Sequence, residues 1–208
     1  MVRRAATEGC RPRGEGAREE EILEATVSQL LEVGYDRLTM DRVADQARAS
    51  KATLYRRWSS KQSLVVDALT RSHHTVATGA PDTGSLRGDL LALFGGSRDQ
   101  DDRSIRIFGM VVTAMMTDPD FAHAFRERFL MPKLTVMRSV YERAAARGEL
   151  APGADPALLG PALAAILLHR NLVLGEPKTP DLVERVVDQI ILPAAPGRPP
   201  TTPDQEPS

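Results

Sequence analysis

The sequence predicts an all-α protein, with an N-terminal three-helix helix-turn-helix unit joined by a long helix to a larger helical domain. Three observations predict it. Apolar residues recur at three- and four-residue spacing along most of the chain, several segments open with a capping residue followed by proline, and no stretch alternates apolar and polar residues as a half-buried strand does.

The elements follow in order. Residues 1–18 hold Arg3, Arg4, Arg11, Arg13 and Arg18 interrupted by Gly9, Pro12, Gly14 and Gly16, which reads as a flexible basic arm. From Glu19 a first helix is expected. Glu19, Glu20 and Glu21 complement its dipole, Ile22, Leu23, Thr26, Val27, Leu30 and Leu31 share one face, and Gly34 closes it. Thr39 caps a two-turn helix with Met40, Val43, Ala44 and Ala47 on its apolar face, and Ser50 caps a third short helix that runs to about Trp58. A fourth, longer helix starts at Ser59 or Ser60. Ser59 with Gln62 has capping-box spacing, and Leu64, Val65, Ala68 and Leu69 form the stripe.

The Gly- and Pro-containing segment 78–85 divides a helix-turn-helix domain, 19–80, from a larger helical domain, 85–192. Helices are expected there at about 86–94, 104–117, 119–131, 133–147, 156–174 and 180–192. Asp118-Pro119, Asp155-Pro156 and Thr179-Pro180 each place a cap before a proline suited to the first helical position. Residues 193–208 carry six prolines and no apolar run, and are expected to be disordered.

Composition limits function. The chain has 208 residues, with 27 basic against 28 acidic, so a case for nucleic acid must come from local clustering. The single cysteine, Cys10, excludes an internal disulfide and a cysteine-only metal site and fits a reduced, cytoplasmic setting. Nothing resembles a signal peptide or the roughly 18 apolar residues of a membrane span. No metal or cofactor site is indicated.

The cluster is found between residues 37 and 61. Seven basic residues there stand against Asp41 and Asp45, a net charge of +5. Taken alone, that describes either a solvated helical surface or a phosphate-binding one. Two short helices joined by Arg48-Ala49-Ser50 have the dimensions of a helix-turn-helix, whose second helix enters the major groove. Leu54 and Trp58 should face inward. That leaves Lys51, Ala52, Tyr55 and Arg56 outward with Thr53 near the helix start, and Lys61 placed for a phosphate.

Residues 38–64 closely resemble the N-terminal domain of TetR-type regulators, above all in Ser50-Lys51-Ala52-Thr53-Leu54-Tyr55, the following Trp58 and the Ser60-Lys61 pair. The resemblance covers about 18–70 strongly and the rest by helical layout. It implies that Lys51, Thr53, Tyr55 and Lys61 touch DNA, and Arg42, Arg48, Ser50, Ala52 and Arg56 complete the candidate surface. Where the family usually has glycine in the turn, this chain has Arg48. A positive φ there would cost roughly 1 kcal/mol, unless Arg48 gains a contact such as a phosphate.

In the C-terminal domain, methionines and aromatic rings suit either a core or a pocket for apolar ligands, and the candidate pocket residues are Phe108, Met115, Phe125, Phe129, Met137, Tyr141 and His169. Segments such as Glu127 to Pro132 and His169-Arg170 look like one ligand-domain subclass of these regulators. Stripes on the last two helices, Leu159, Leu163, Ile166 and Leu167 with Val183, Val187 and Ile190, suit a four-helix dimer interface as well as burial in the monomer. The resemblance implies a homodimeric repressor that binds a pseudo-palindromic operator in double-stranded DNA and is released by a small-molecule effector. An enzyme is a poor fit. His73 and His74 point to different sides of a helix, Cys10 lies in the arm, and no phosphate loop or HExxH spacing occurs. A helical adaptor binding only protein would differ in tolerating substitution of Lys51 and Tyr55 without loss at DNA.

Overall fold

The structure, a computed structural model, describes residues 15–72, 79–95 and 101–195. The arm up to residue 14 with Cys10, the pair His73 and His74, and the tail from 196 lie outside these residues. The elements among the described residues are helices: α1 (Glu15–Arg37), kinked at Gly34 with φ 80° and ψ 168°, α2 (Met40–Gln46), α3 (Lys51–Arg57), α4 (Lys61–Ser72), α5 (Leu86–Phe94), α6 (Asp101–Thr117), α7 (Pro119–Phe125), α8 (Met131–Ala146), α9 (Pro156–Leu172), α10 (Pro180–Val186) and a last turn, α11 (Leu192–Ala194). Among them no helix is long and apolar enough to cross a membrane.

Local chemistry sets these boundaries. Asp118, Asp155 and Thr179 accept hydrogen bonds from the amides of Phe121 (2.9 Å), Ala157 (2.8 Å) and Leu182 (3.1 Å), so each expected cap is made. Several boundaries differ from expectation, among them the start of α6 at Asp101 in place of 104 and the helical turn α11, which enters the stretch from 193 expected to be disordered. The first helix begins at Glu15, so Arg18 belongs to α1 and not to a flexible arm. The box opening α4 is Ser60 with Ser63, whose hydroxyls accept from each other's amides at 3.2 and 3.3 Å, in place of Ser59 with Gln62.

Two helices change pitch. A π turn, Arg126–Leu130, joins α7 to α8, and another, Val187–Ile191, joins α10 to α11. Each ends two residues before a helical proline, Pro132 or Pro193. Proline supplies no N–H and its ring presses on the carbonyl four residues earlier, Arg128 or Gln189; a widened turn at that carbonyl relieves the clash and keeps the helix going.

Apolar faces bury into two cores. The first packs α1, α2, α3 and α4 with α6 and α7 around Ile22, Leu30, Val43, Leu54, Leu64 and Phe121. The second joins α5, α8, α9 and α10 around Leu90, Tyr141, Leu163, Val183 and Ile191. The α7–α8 rod serves both, with Phe121 and Phe125 in the first and Met137, Val140 and Tyr141 in the second.

Two sets of expected residues divide between these cores and the surface. Four of the seven residues expected at a dimer interface, Leu163, Leu167, Val183 and Val187, are buried within the chain's own second core, while Leu159 and Ile166 pack on its edge and only Ile190 is exposed. The cause is simple: a stripe with helical period records burial without saying against what. The candidate pocket residues do not converge either. Met115, Phe125 and Phe129 belong to the first core and Met137 and Tyr141 to the second, Phe108 is half-buried, and His169 is exposed.

A charged network ties the segment before α5 to α8. Asp89 is fully buried. Its Oδ1 accepts from the Thr83 amide (2.6 Å) and hydroxyl (2.8 Å), and its Oδ2 lies 3.4 Å from Arg147 and 3.7 Å from Arg143. Glu149 accepts from the Leu86 amide at 2.6 Å, which satisfies an otherwise open donor at the start of α5.

Candidate nucleic-acid interface

The site is built from α2, the turn and α3. Thr39 caps α2 by accepting from the Arg42 amide at 3.3 Å, and Ser50 caps α3 by accepting from the Thr53 amide at 3.1 Å, with the two hydroxyls 2.8 Å apart. On α3 the apolar side faces in: Leu54 is fully buried and Trp58, just past the last residue, is 2% exposed. Trp58 donates its indole N–H to Asp67 on α4 at 2.9 Å. Lys51, Ala52, Tyr55 and Arg56 are exposed together on the opposite side, and Thr53 is half-buried. Tyr55 is 53% exposed.

Arg48 adopts φ 52°, the only positive φ of a non-glycine residue among the described residues. Its amide donates to Asp45 (3.1 Å) and the Ala49 amide to Ala44 (2.8 Å), the paired bonds of a Schellman helix end. The end of α8 makes the same pair of bonds, Gly148 to Ala145 and Glu149 to Ala144, with Gly148 in the left-handed position. The turn therefore keeps the glycine geometry and carries an arginine in it. Arg18 on α1, itself paired with Glu21 at 2.6 Å, donates to the Arg48 carbonyl. Arg48→Gly should raise unfolding stability by about 0.5–1 kcal/mol in urea titrations, since the left-handed penalty outweighs the entropy that glycine adds to the unfolded chain. A variant less stable than the parent would show that the side chain more than compensates its backbone.

The cations differ in how they are held. Lys51 pairs with Asp41 across the motif at 2.7 Å, both side chains more than half exposed, and this partner pushes the ammonium above its ordinary range. Arg57 pairs with Glu19 at 3.1 Å. Arg42, Arg48 and Arg56 are exposed. Lys61 is half-buried: its ammonium donates to the Tyr35 carbonyl at 3.1 Å and lies 4.1 Å from the centre of that ring. Its position ties the start of α4 to the end of α1.

Tyr35 is the other side of a junction that sequence reasoning missed. Its hydroxyl donates to Asp118 Oδ2 at 2.7 Å, where Gln62 also donates at 2.9 Å, so one carboxylate joins α1, α4 and the cap of α7. Burial raises the Asp118 pKa, but the bonds from Phe121, Tyr35 and Gln62, with Lys61 nearby, outweigh it and hold the acid below its ordinary value. A carboxylate whose folded pKa is depressed stabilises fully above the unfolded value and less as pH falls through the folded one. Asp118→Asn should therefore trail the parent most at neutral pH, with the gap closing below about pH 4. A gap independent of pH in paired denaturation curves would rule out the charge as its source. Arg18, Asp41 and Tyr35 had no local signature, because each acts through a partner on another element.

Comparison with known proteins agrees with this geometry. Residues 22–68 match the model for bacterial regulatory proteins of the tetR family, and residues 80–190 match the tetracyclin repressor-like C-terminal domain. An uncharacterised HTH-type transcriptional regulator of Mycobacterium tuberculosis is 36% identical over 177 residues, covering 85% of this chain and 87% of its own. A DNA-binding transcriptional repressor TetR of Mycobacteroides abscessus is 35% identical over 181 residues, covering 86% and 94%. Among solved structures, the TetR family transcription regulator SCO0332 superposes with a TM-score of 0.65 at 31% identity, covering 84% of this chain and 96% of that one. With an outward-facing second helix, an inward-packed Leu54 and Trp58, and both domains matched, the chain belongs to the TetR family of bacterial transcriptional regulators.

Proposed function

We propose that this protein is a cytoplasmic repressor that binds a pseudo-palindromic operator as a homodimer and leaves it when a small molecule binds its C-terminal domain. The observation that carries the reading is the exposed set Lys51, Ala52, Tyr55 and Arg56 on a helix anchored from behind by Leu54 and Trp58. Lys51, Arg42, Arg48 and Arg56 neutralise phosphates, while Tyr55 and Ala52, with Ser50 and Thr53 beside them, meet base edges and sugar. Lys61 supports the interface by holding Tyr35.

Two copies pair through the faces of α9 and α10 that the monomer leaves open. Leu158 is 72% and Ile190 47% exposed, and the exposed Ala165 on α9 is small enough to let a partner helix approach closely. The effector acts by favouring a spacing of the two α3 helices that no longer fits one DNA turn, and operator DNA weakens effector binding by the same factor. Footprinting on the protein's own promoter region, across a salt series, tests the reading. A protected two-fold site is expected, with affinity falling steeply with salt and Lys51→Ala and Tyr55→Ala each weakening it roughly tenfold. A helical adaptor would give no footprint, and a Leu158→Glu, Ile190→Glu variant that still sediments as a dimer would sink the pairing surface.

A further inference from the structure

A groove of about 710 Å³ lies between the C-terminal end of α1 and α6, away from the recognition face. Val33, Met110, Ala114 and Leu172 give it an apolar wall, and Arg37 and Arg106 complete the lining with two cations. Its size falls within the roughly 300–1,000 Å³ of small-molecule pockets. Neither guanidinium meets a carboxylate among the described residues: Arg37 donates to the Val33 carbonyl at 2.9 Å and Arg106 to the Leu31 carbonyl at 3.4 Å. Asp36, the one acid in the lining, pairs with neither.

A second observation points into the same space. Gly109 lies inside α6, where glycine costs about 1 kcal/mol relative to alanine. A Cβ built there would meet only Leu172 Cδ2, at 4.0 Å, so close packing does not require the missing side chain. What its absence leaves is room in the groove.

We propose that this groove binds an amphipathic carboxylate, with its apolar chain along Val33, Met110 and Leu172 and its head group on Arg37 and Arg106. Two guanidinium groups without acidic partners recognise a carboxylate through paired, charge-assisted hydrogen bonds that an alcohol or an ammonium cannot reproduce. The ligand lies against the α1 kink at Gly34 and against Tyr35, whose hydroxyl holds Asp118. Binding in the groove is tested on protein free of DNA.

Isothermal titration of the full-length protein with decanoate, decanol and decyltrimethylammonium separates head-group recognition from apolar partition. Decanoate is expected to bind once per chain, with the alcohol and the cation at least tenfold weaker. Arg106→Ala and Arg37→Ala are each expected to weaken decanoate tenfold or more. Gly109→Leu should abolish binding by filling the groove. Both arginines are exposed, and Arg138→Ala, an exposed pair with Glu142 on α8, should leave binding unchanged while controlling for lost charge. Equal binding of decanol and decanoate, undiminished binding in the Arg37, Arg106 and Gly109 variants, or no decanoate binding at millimolar concentration would each overturn the proposal.

Discussion

Trp58→Ala should lower unfolding stability by about 3–5 kcal/mol, the usual cost of emptying a buried aromatic site. The ring is 2% exposed within the first core, and its indole N–H is bonded to Asp67. Operator affinity should fall further than stability does. α3 has only seven residues, too few to hold a helix in water unaided, so its orientation depends on Leu54 and Trp58 behind it. Trp58→Phe keeps most of the packing and loses the hydrogen bond to Asp67, which still pairs with Arg128; about 1 kcal/mol is expected. Because Trp58 is the chain's single tryptophan, circular dichroism in urea is the suitable measurement. A loss under 1 kcal/mol for the alanine variant would mean that α3 does not rely on this anchor.

Asp89→Ala should cost about 3 kcal/mol, the lower end for breaking a buried charged pair, because its arginine partners are partly open to water. The substitution removes the carboxylate oxygen that accepts from both the amide and the hydroxyl of Thr83, and takes the buried charge away from Arg143 and Arg147. Asp89→Asn retains an oxygen for Thr83, and Asp82 and Glu149 still face the arginines, so it should lose roughly half as much. Urea unfolding of the pair decides the matter; equal losses would place the whole effect in the charge and none in the Thr83 bonds.

The helices were legible in the sequence because their signals are local. A cap and a proline lie within three residues of each other, and the three cap-proline pairs at 118, 155 and 179 all start helices. The exposed face of α3 was legible for the same reason, since spacing alone turns Leu54 inward and Tyr55 outward. What a stripe packs against is not local information. Leu163 and Val187 carry the same pattern whether they meet their own core or a second copy, and here they meet their own. Long-range polar partners leave even less trace: Tyr35 and Asp118 are 83 positions apart. The pocket residues were chosen by type, as methionines and aromatic rings, and residue type does not say which core a side chain joins.

Those two π turns have a consequence for length variation. An α-helix that gains or loses one residue rotates everything beyond it by about 100°, turning a buried face outward. A π turn stores one surplus residue as slack, so the chain has two places where a single-residue deletion, with the following proline replaced, tightens the turn and leaves the faces on both sides in register. Relatives that differ by one residue within these helices should have absorbed the difference there, keeping both cores intact.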